Sequence, residues 1–110
     1  IDWNKGQNDG YSKDFSIMYD NLEERVSSFG WTTKVIDGHD MNAIRESFEQ
    51  TKADKPLCVI LDTVKGKGVS FMENKPLWHG SLKMSVQQIE SSLKELGAKK
   101  KLIEECINYE

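Results

Sequence analysis

The chain is short of the residues that usually give a protein's chemistry away. It has two cysteines, Cys58 and Cys106, without C-x-x-C spacing, which excludes a local redox motif or zinc knuckle. Both read as reduced core thiols. Its two histidines, His39 and His79, lie far apart, and neither has a ligand partner at zinc spacing. No apolar run approaches the roughly 20 residues of a membrane span, and the first residues carry no leader pattern. Excess charge is lacking too: fifteen basic against eighteen acidic residues leave a net charge of −3. Electrostatics therefore makes no case for nucleic acid or an anionic membrane. The reading is of a cytoplasmic protein. Hydrophobic residues make up 37% of the 110, low for a self-sufficient globule. Ile1-Asp2-Trp3-Asn4 reads as the end of a strand begun upstream. The expectation is one part of one domain from a longer protein.

What is present centres on Thr63-Val64-Lys65-Gly66-Lys67-Gly68-Val69, with Trp78-His79-Gly80 shortly after. The preceding run, Leu57-Cys58-Val59-Ile60-Leu61, is continuously apolar, the pattern of a strand buried on both faces. Open α/β sheets bind ligands where such strands end. Gly66 and Gly68 admit backbone conformations, and a close ligand approach, that a Cβ obstructs. Lys65 and Lys67 offer positive charge for an anion, with Lys67 the more exposed of the two. A G-x-G after a strand is, however, more often a turn than a phosphate site.

Residues 4–13 are rich in glycine and amides and read as loop. Phe15, Met18, Tyr19, Leu22, Val26 and Phe29 fall on one helical face that ends at Gly30. Thr32 to Ile36 reads as a strand ending at Asp37-Gly38. Asp40 caps a helix carrying Ile44, Phe48 and Thr51, which runs out before Pro56. Ser85 and Gln88 form a capping box for a helix carrying Val86, Ile89, Leu93 and Leu96, stopped by Gly97. A last helix, about residues 98–109, presents Leu102, Cys106 and Tyr109. Lys99-Lys100-Lys101 lies at its positive end and reads as solvated surface. The order is that of an α/β layer: three parallel strands with flanking helices, ending in two helices. In a parallel sheet the Asn4 loop and the Thr63–Gly80 loop open on the same edge.

Taken together, the segment Asp2 to Gly10, Phe29-Gly30-Trp31, Asp37-Gly38-His39-Asp40, Lys55-Pro56 and Thr63 to Gly80 resemble the transketolase family. The likeness is to its pyrophosphate-binding half, in particular the amino-terminal subunit of split bacterial and archaeal transketolases. It covers essentially the whole chain, more loosely over the two final helices. It implies thiamine diphosphate, a divalent metal (Mg²⁺ or Ca²⁺), and transfer of a two-carbon ketol unit between sugar phosphates, as in the pentose phosphate pathway. It further implies a pyrimidine-binding partner subunit or domain, in a dimer or heterotetramer.

The family's metal motif, G-D-G followed by D-x-N-x-x-x-x-D-G, places Asn4 as a side-chain oxygen ligand and Gly6 as a backbone carbonyl ligand. The G-D-G half is absent from these residues. Asn8 stands where the family usually has an apolar residue. His79 matches the histidine of the family's H-G motif, which implies a cofactor contact with a general acid/base role. On the residues alone it reads rather as a loop histidine fixing the turn before Gly80. Lys65 is a candidate contact for the diphosphate or a solvated lysine. His39 reads as a turn and cap residue, and Trp31 and Trp78 as packing or interface groups. The alternatives are a non-catalytic, partner-binding remnant, or a deoxyxylulose phosphate synthase-type relative. Trp78-His79-Gly80 and Asp9-Gly10 favour transketolase over the latter.

Overall fold

The structure is a computed structural model that describes residues 1–15, 20–49, 54–80 and 83–108. Its centre is β5 (Leu57–Asp62), the apolar run anticipated from sequence. Parallel strands flank it on both sides: β1 (Asp2–Trp3) and β4 (Thr32–Asp37), in the order β1-β5-β4. Asp37 and Trp3 both stand level with Asp62, so all three strands end at one edge. Val59 and Ile60 are the buried heart of the layer. Ile60, fully enclosed, contributes about 1.5–3 kcal/mol by leaving water.

The chain steps from β1 past β5 to β4, then returns to β5. With right-handed crossovers, steps in opposite directions put their helices on opposite faces of the sheet. The side chains agree, because neighbours along a strand point to opposite faces. Thr33 Oγ1 lies 2.8 Å from Ser27 Oγ on α2 (Leu22–Ser28). Lys34, the next residue, donates from Nζ to the Ser47 carbonyl on α3 (Met41–Glu49), at 2.8 Å.

Several local expectations hold. Asp40 Oδ1 accepts the Asn42 and Ala43 amides at 2.8 and 3.2 Å, capping α3. Ser85 and Gln88 form the reciprocal capping box of α4 (Val86–Glu95). Gly30 and Gly97 follow their helices with φ of 87° and 77°. Other expectations need correction. The single helical face from Phe15 to Phe29 is interrupted at Asn21, which adopts φ 58°, ψ 38° before α2 begins; among the described residues α1 spans Ser12–Phe15. Met18 and Tyr19 lie outside the described residues, as do Thr51 and Tyr109. The glycine-rich loop contains a small antiparallel hairpin, β2 (Gly6–Gln7) with β3 (Gly10–Tyr11). On α5 (Lys100–Ile107) the buried residue is Ile103, whereas Leu102 and Cys106 are exposed. The face is rotated by one residue, and Cys106 is not a core thiol.

Much apolar surface remains uncovered. Phe29 is 81% exposed, Phe48 60% and Ile1 52%, around a hollow that Trp31 and Leu57 also line. The radius of gyration is 18.0 Å, against about 13 Å for a compact domain of this length. Among the described residues no helix is long and apolar enough to cross a membrane.

The α4–α5 hairpin is tied to the rest through Glu95. The Ser70 amide and hydroxyl donate to its carboxylate at 2.6 and 3.0 Å. These bonds, the amide first, hold the Glu95 carboxyl below its ordinary value. A depressed carboxyl contributes stability above its ordinary value of 4.5, and loses it as pH falls through the lower folded-state value. Acidification from pH 5 towards about pH 3 should therefore lower the protection factor of the Ser70 amide, its exchange rate measured against the intrinsic rate at each pH. Glu95→Gln should exchange faster at neutral pH and lose this acid dependence. Equal acid dependence in both proteins would contradict the assignment.

Candidate functional site

The carboxyl edge of the sheet carries the polar chemistry. Asn4, the first residue past β1, is half-buried and held by two hydrogen bonds. Its Nδ2 donates to Asp2 Oδ2 at 2.9 Å, and its Oδ1 accepts the Gly6 amide at 2.9 Å. A carboxylate can only accept and an N–H can only donate, so the orientation of the amide is fixed. Oδ1 keeps a second lone pair. A Cβ at Gly6 would stand 3.3 Å from Asn4 Oδ1, 3.6 Å from Pro76 Cγ and 3.8 Å from Lys65 Cδ. Gly6 is thus a cradle in which Asn4, Lys65 and Pro76 meet.

The second wall is the segment after β5. It closes on itself: the Asn74 amide donates to the Lys65 carbonyl at 2.9 Å, and the Val69 amide to the Gly66 carbonyl at 3.2 Å. Val69 is buried beneath it. Gly66 has φ 73°, and a Cβ there would lie 2.7 Å from the Met72 carbonyl oxygen. Here the glycine is required by both conformation and space. Phe71 meets Trp78 edge to face, with centroids 5.4 Å apart at 62°, so Trp78 is a packing residue. A 3-10 turn, Pro76–His79, then packs on β2 and β3. Pro76 is buried and His79 exposed. The turn kinks at Trp78 (φ −79°, ψ 18°), and His79 is its last residue. Among the described residues its imidazole has no hydrogen-bond partner.

The structure therefore brings Asn4, Gly6 and Lys65 together and starts the turn bearing His79 beside them. Lys67 is exposed, as expected. Three cross-links went unseen in the sequence. The Thr63 hydroxyl donates to Asp2 Oδ1, and Lys5, in a left-handed conformation, pairs with Asp62. His39 Nε2 accepts the Val64 amide at 2.8 Å, whereas helix capping falls to Asp40. The readable signal was register, since parallel strands ending level at Asp37 and Asp62 put residues 39 and 64 side by side.

Two clefts run along this edge. One, of about 490 Å³, is lined by Asp37, His39, Asp62, Val64 and Lys67. The other, of about 160 Å³, lies between Asn8–Tyr11 and Lys75–Leu77. The larger hollow near Ile1 and Trp31, about 560 Å³, is almost wholly apolar and lies where β4 and β5 begin. It is remote from these groups, and its chemistry suits packing.

The donors at Gly6 fit a hard cation bound mainly by other partners. Among the described residues no cluster of three or more His, Cys, Asp or Glu side chains could hold a metal. Asn4 Oδ1 and the Gly6 carbonyl are neutral oxygens, suited to Mg²⁺ or Ca²⁺ when a polyphosphate supplies the charge.

Comparison with known proteins gives a consistent picture. Residues 2–105 match the family model described as transketolase, thiamine diphosphate binding domain. A 6-deoxy-6-sulfo-D-fructose transketolase subunit, SqwG, of Clostridium sp. (strain MSTE9) is 37% identical over 97 residues, covering 86% of this chain and 34% of its own. An apulose-4-phosphate transketolase subunit of Actinobacillus succinogenes is 33% identical over 96 residues, covering 86% and 34%. The transketolase of Mus musculus is 33% identical over 87 residues, covering 76% and 14%. The chain thus spans about a third of the length of the split-subunit relatives.

Gly66→Ala should lower stability by about 1–3 kcal/mol, from a strained φ and a backbone clash. Gly80→Ala, with open space at its Cβ and an ordinary φ of −97°, should change it little. Thermal unfolding of both variants is the check; equal melting temperatures would contradict the closed-loop geometry.

Proposed function

The chain belongs to the family of transketolase thiamine diphosphate-binding domains, and on that premise we propose that its carboxyl edge holds the diphosphate and metal of that cofactor. The observation that carries the reading is the meeting of Asn4, Lys65 and Pro76 around the bare Cα of Gly6. Asn4 Oδ1 and the Gly6 carbonyl would hold a divalent cation, Mg²⁺ or Ca²⁺. The Asp2 bond to Nδ2 fixes which face of the amide meets the metal. Lys65, its stem half-buried against Gly6, would bring its ammonium to a diphosphate oxygen.

When bound, thiamine diphosphate supplies the carbon nucleophile, and the protein's share is orientation and proton handling. His79 would donate an N–H to a phosphate or substrate oxygen and hold or pass a proton there. The closed loop under Gly66 keeps the turn bearing His79 in place. The reaction would be ketol transfer between sugar phosphates in the cytoplasm, as a part of a longer protein working with a pyrimidine-binding subunit or domain. The uncovered apolar surface at Phe29, Trp31 and Phe48 supports a further covering layer.

Calorimetric titration of the full-length protein, with its partner, by thiamine diphosphate and Mg²⁺ is the test. Asn4→Ala should weaken binding about tenfold, the effect of one lost polar ligand, with little change in melting temperature. His79→Ala should retain the cofactor and lower kcat by about 10²–10⁴-fold. Absence of binding by the unaltered protein, or unchanged affinity in Asn4→Ala, would overturn the reading.

A further inference from the structure

We propose that His39 is a positioning residue for the cofactor edge, holding the segment that carries Lys65 through its imidazole. The inference rests on the reading that this segment faces the diphosphate. The Thr63 amide makes the last rung towards β1, donating to the Trp3 carbonyl at 3.4 Å. The next amide on the β4 side, Val64, lies beyond the end of the β4–β5 ladder at Asp37 and Asp62. His39 Nε2 supplies the missing acceptor, at 2.8 Å. A side chain thus extends the sheet by one rung past its end.

The turn that presents His39 is fixed at every position. The Gly38 amide donates to the Asp62 carbonyl at 2.9 Å, and the His39 amide to Asp37 Oδ1 at 2.8 Å. A Cβ at Gly38 would stand 2.4 Å from Thr63 Cγ2 and 2.8 Å from Leu61 Cβ. Only glycine lets the turn lie this close to β5, and that closeness brings the imidazole within reach of Val64. From Val64 the chain passes directly to Lys65, whose carbonyl closes the loop with Asn74 and whose side chain lies against Gly6. Displacement at Val64 is therefore passed by one covalent step to the cradle. An accepting Nε2 carries no proton, so the imidazole is the Nδ1–H tautomer.

The test uses the full-length protein with its partner and two variants. His39→Gln keeps an acceptor at about the reach of Nε2, and His39→Leu has none. Hydrogen exchange at the Val64 amide and calorimetric affinity for thiamine diphosphate with Mg²⁺ are measured together. His39→Leu should exchange Val64 about tenfold faster and bind the cofactor about tenfold more weakly, the effect of one lost acceptor. His39→Gln should restore both, at a melting temperature similar to that of His39→Leu. Unchanged Val64 exchange in His39→Leu overturns the hydrogen bond, and faster exchange with unchanged affinity overturns the positioning role. Failure of His39→Gln to restore affinity also overturns it. Should His39→Leu not fold, imidazole nitrogen shifts of the unaltered protein decide: Nδ1–H supports the proposal and Nε2–H contradicts it. No cofactor binding by the unaltered protein removes the site reading and this role together; failure confined to His39 leaves that binding intact.

Discussion

Parallel pairing of β5 with a strand on either side is the constraint from which the rest follows. Parallel strands leave the sheet in the same direction, so the segments after Trp3, Asp37 and Asp62 must emerge at one edge. An antiparallel partner on either side would send its outgoing loop to the opposite rim. Asn4 and the turn bearing His79 would then not share an environment. The register adds the finer point, because the strands end level and their first loop residues are neighbours across the sheet. Asp2 reaches Thr63, Lys5 reaches Asp62, and His39 reaches Val64.

These cross-links matter for geometry more than for stability. The Lys5–Asp62 pair is well exposed, with side chains 34% and 53% accessible, and such pairs are typically worth about 0–1 kcal/mol. The fold rests instead on Val59, Ile60, Val69 and Ile103 and on the helices laid against β4. What the polar contacts supply is preorganisation. Asn4 has one orientation, Gly6 has no side chain to block it, and the loop under Lys65 is closed by its own backbone hydrogen bonds. A site for a charged diphosphate gains affinity from donors that need no rearrangement.

The sequence reveals this architecture unevenly, for physical reasons. The run Leu57–Leu61 and the capping signals at Asp40 and Ser85 are local, and the structure follows them. The shared edge was also legible, because strand order and parallel direction suffice to place it. The helix expected from Phe15 to Phe29 was misread because apolar spacing does not register a left-handed residue at Asn21. On α5 the spacing at Leu102 and Cys106 competed with an equally regular set at Ile103 and Ile107. The structure takes the second, with Ile103 buried and Ile107 half-buried beside α4, a tertiary fact. His39 reads from sequence as a turn residue because its partner lies 25 positions away, joined only through register.

The central claim is that two loops distant in sequence form one diphosphate-binding edge. Backbone amide shifts of the isotope-labelled full-length protein with its partner, followed as thiamine diphosphate and Mg²⁺ are added, test it most directly. The account predicts that within this chain the largest changes fall on residues 4–10 and 63–80, together and at the same ligand concentration. Changes centred on the apolar hollow of Ile1, Phe29 and Trp31, or confined to one of the two loops, would contradict it.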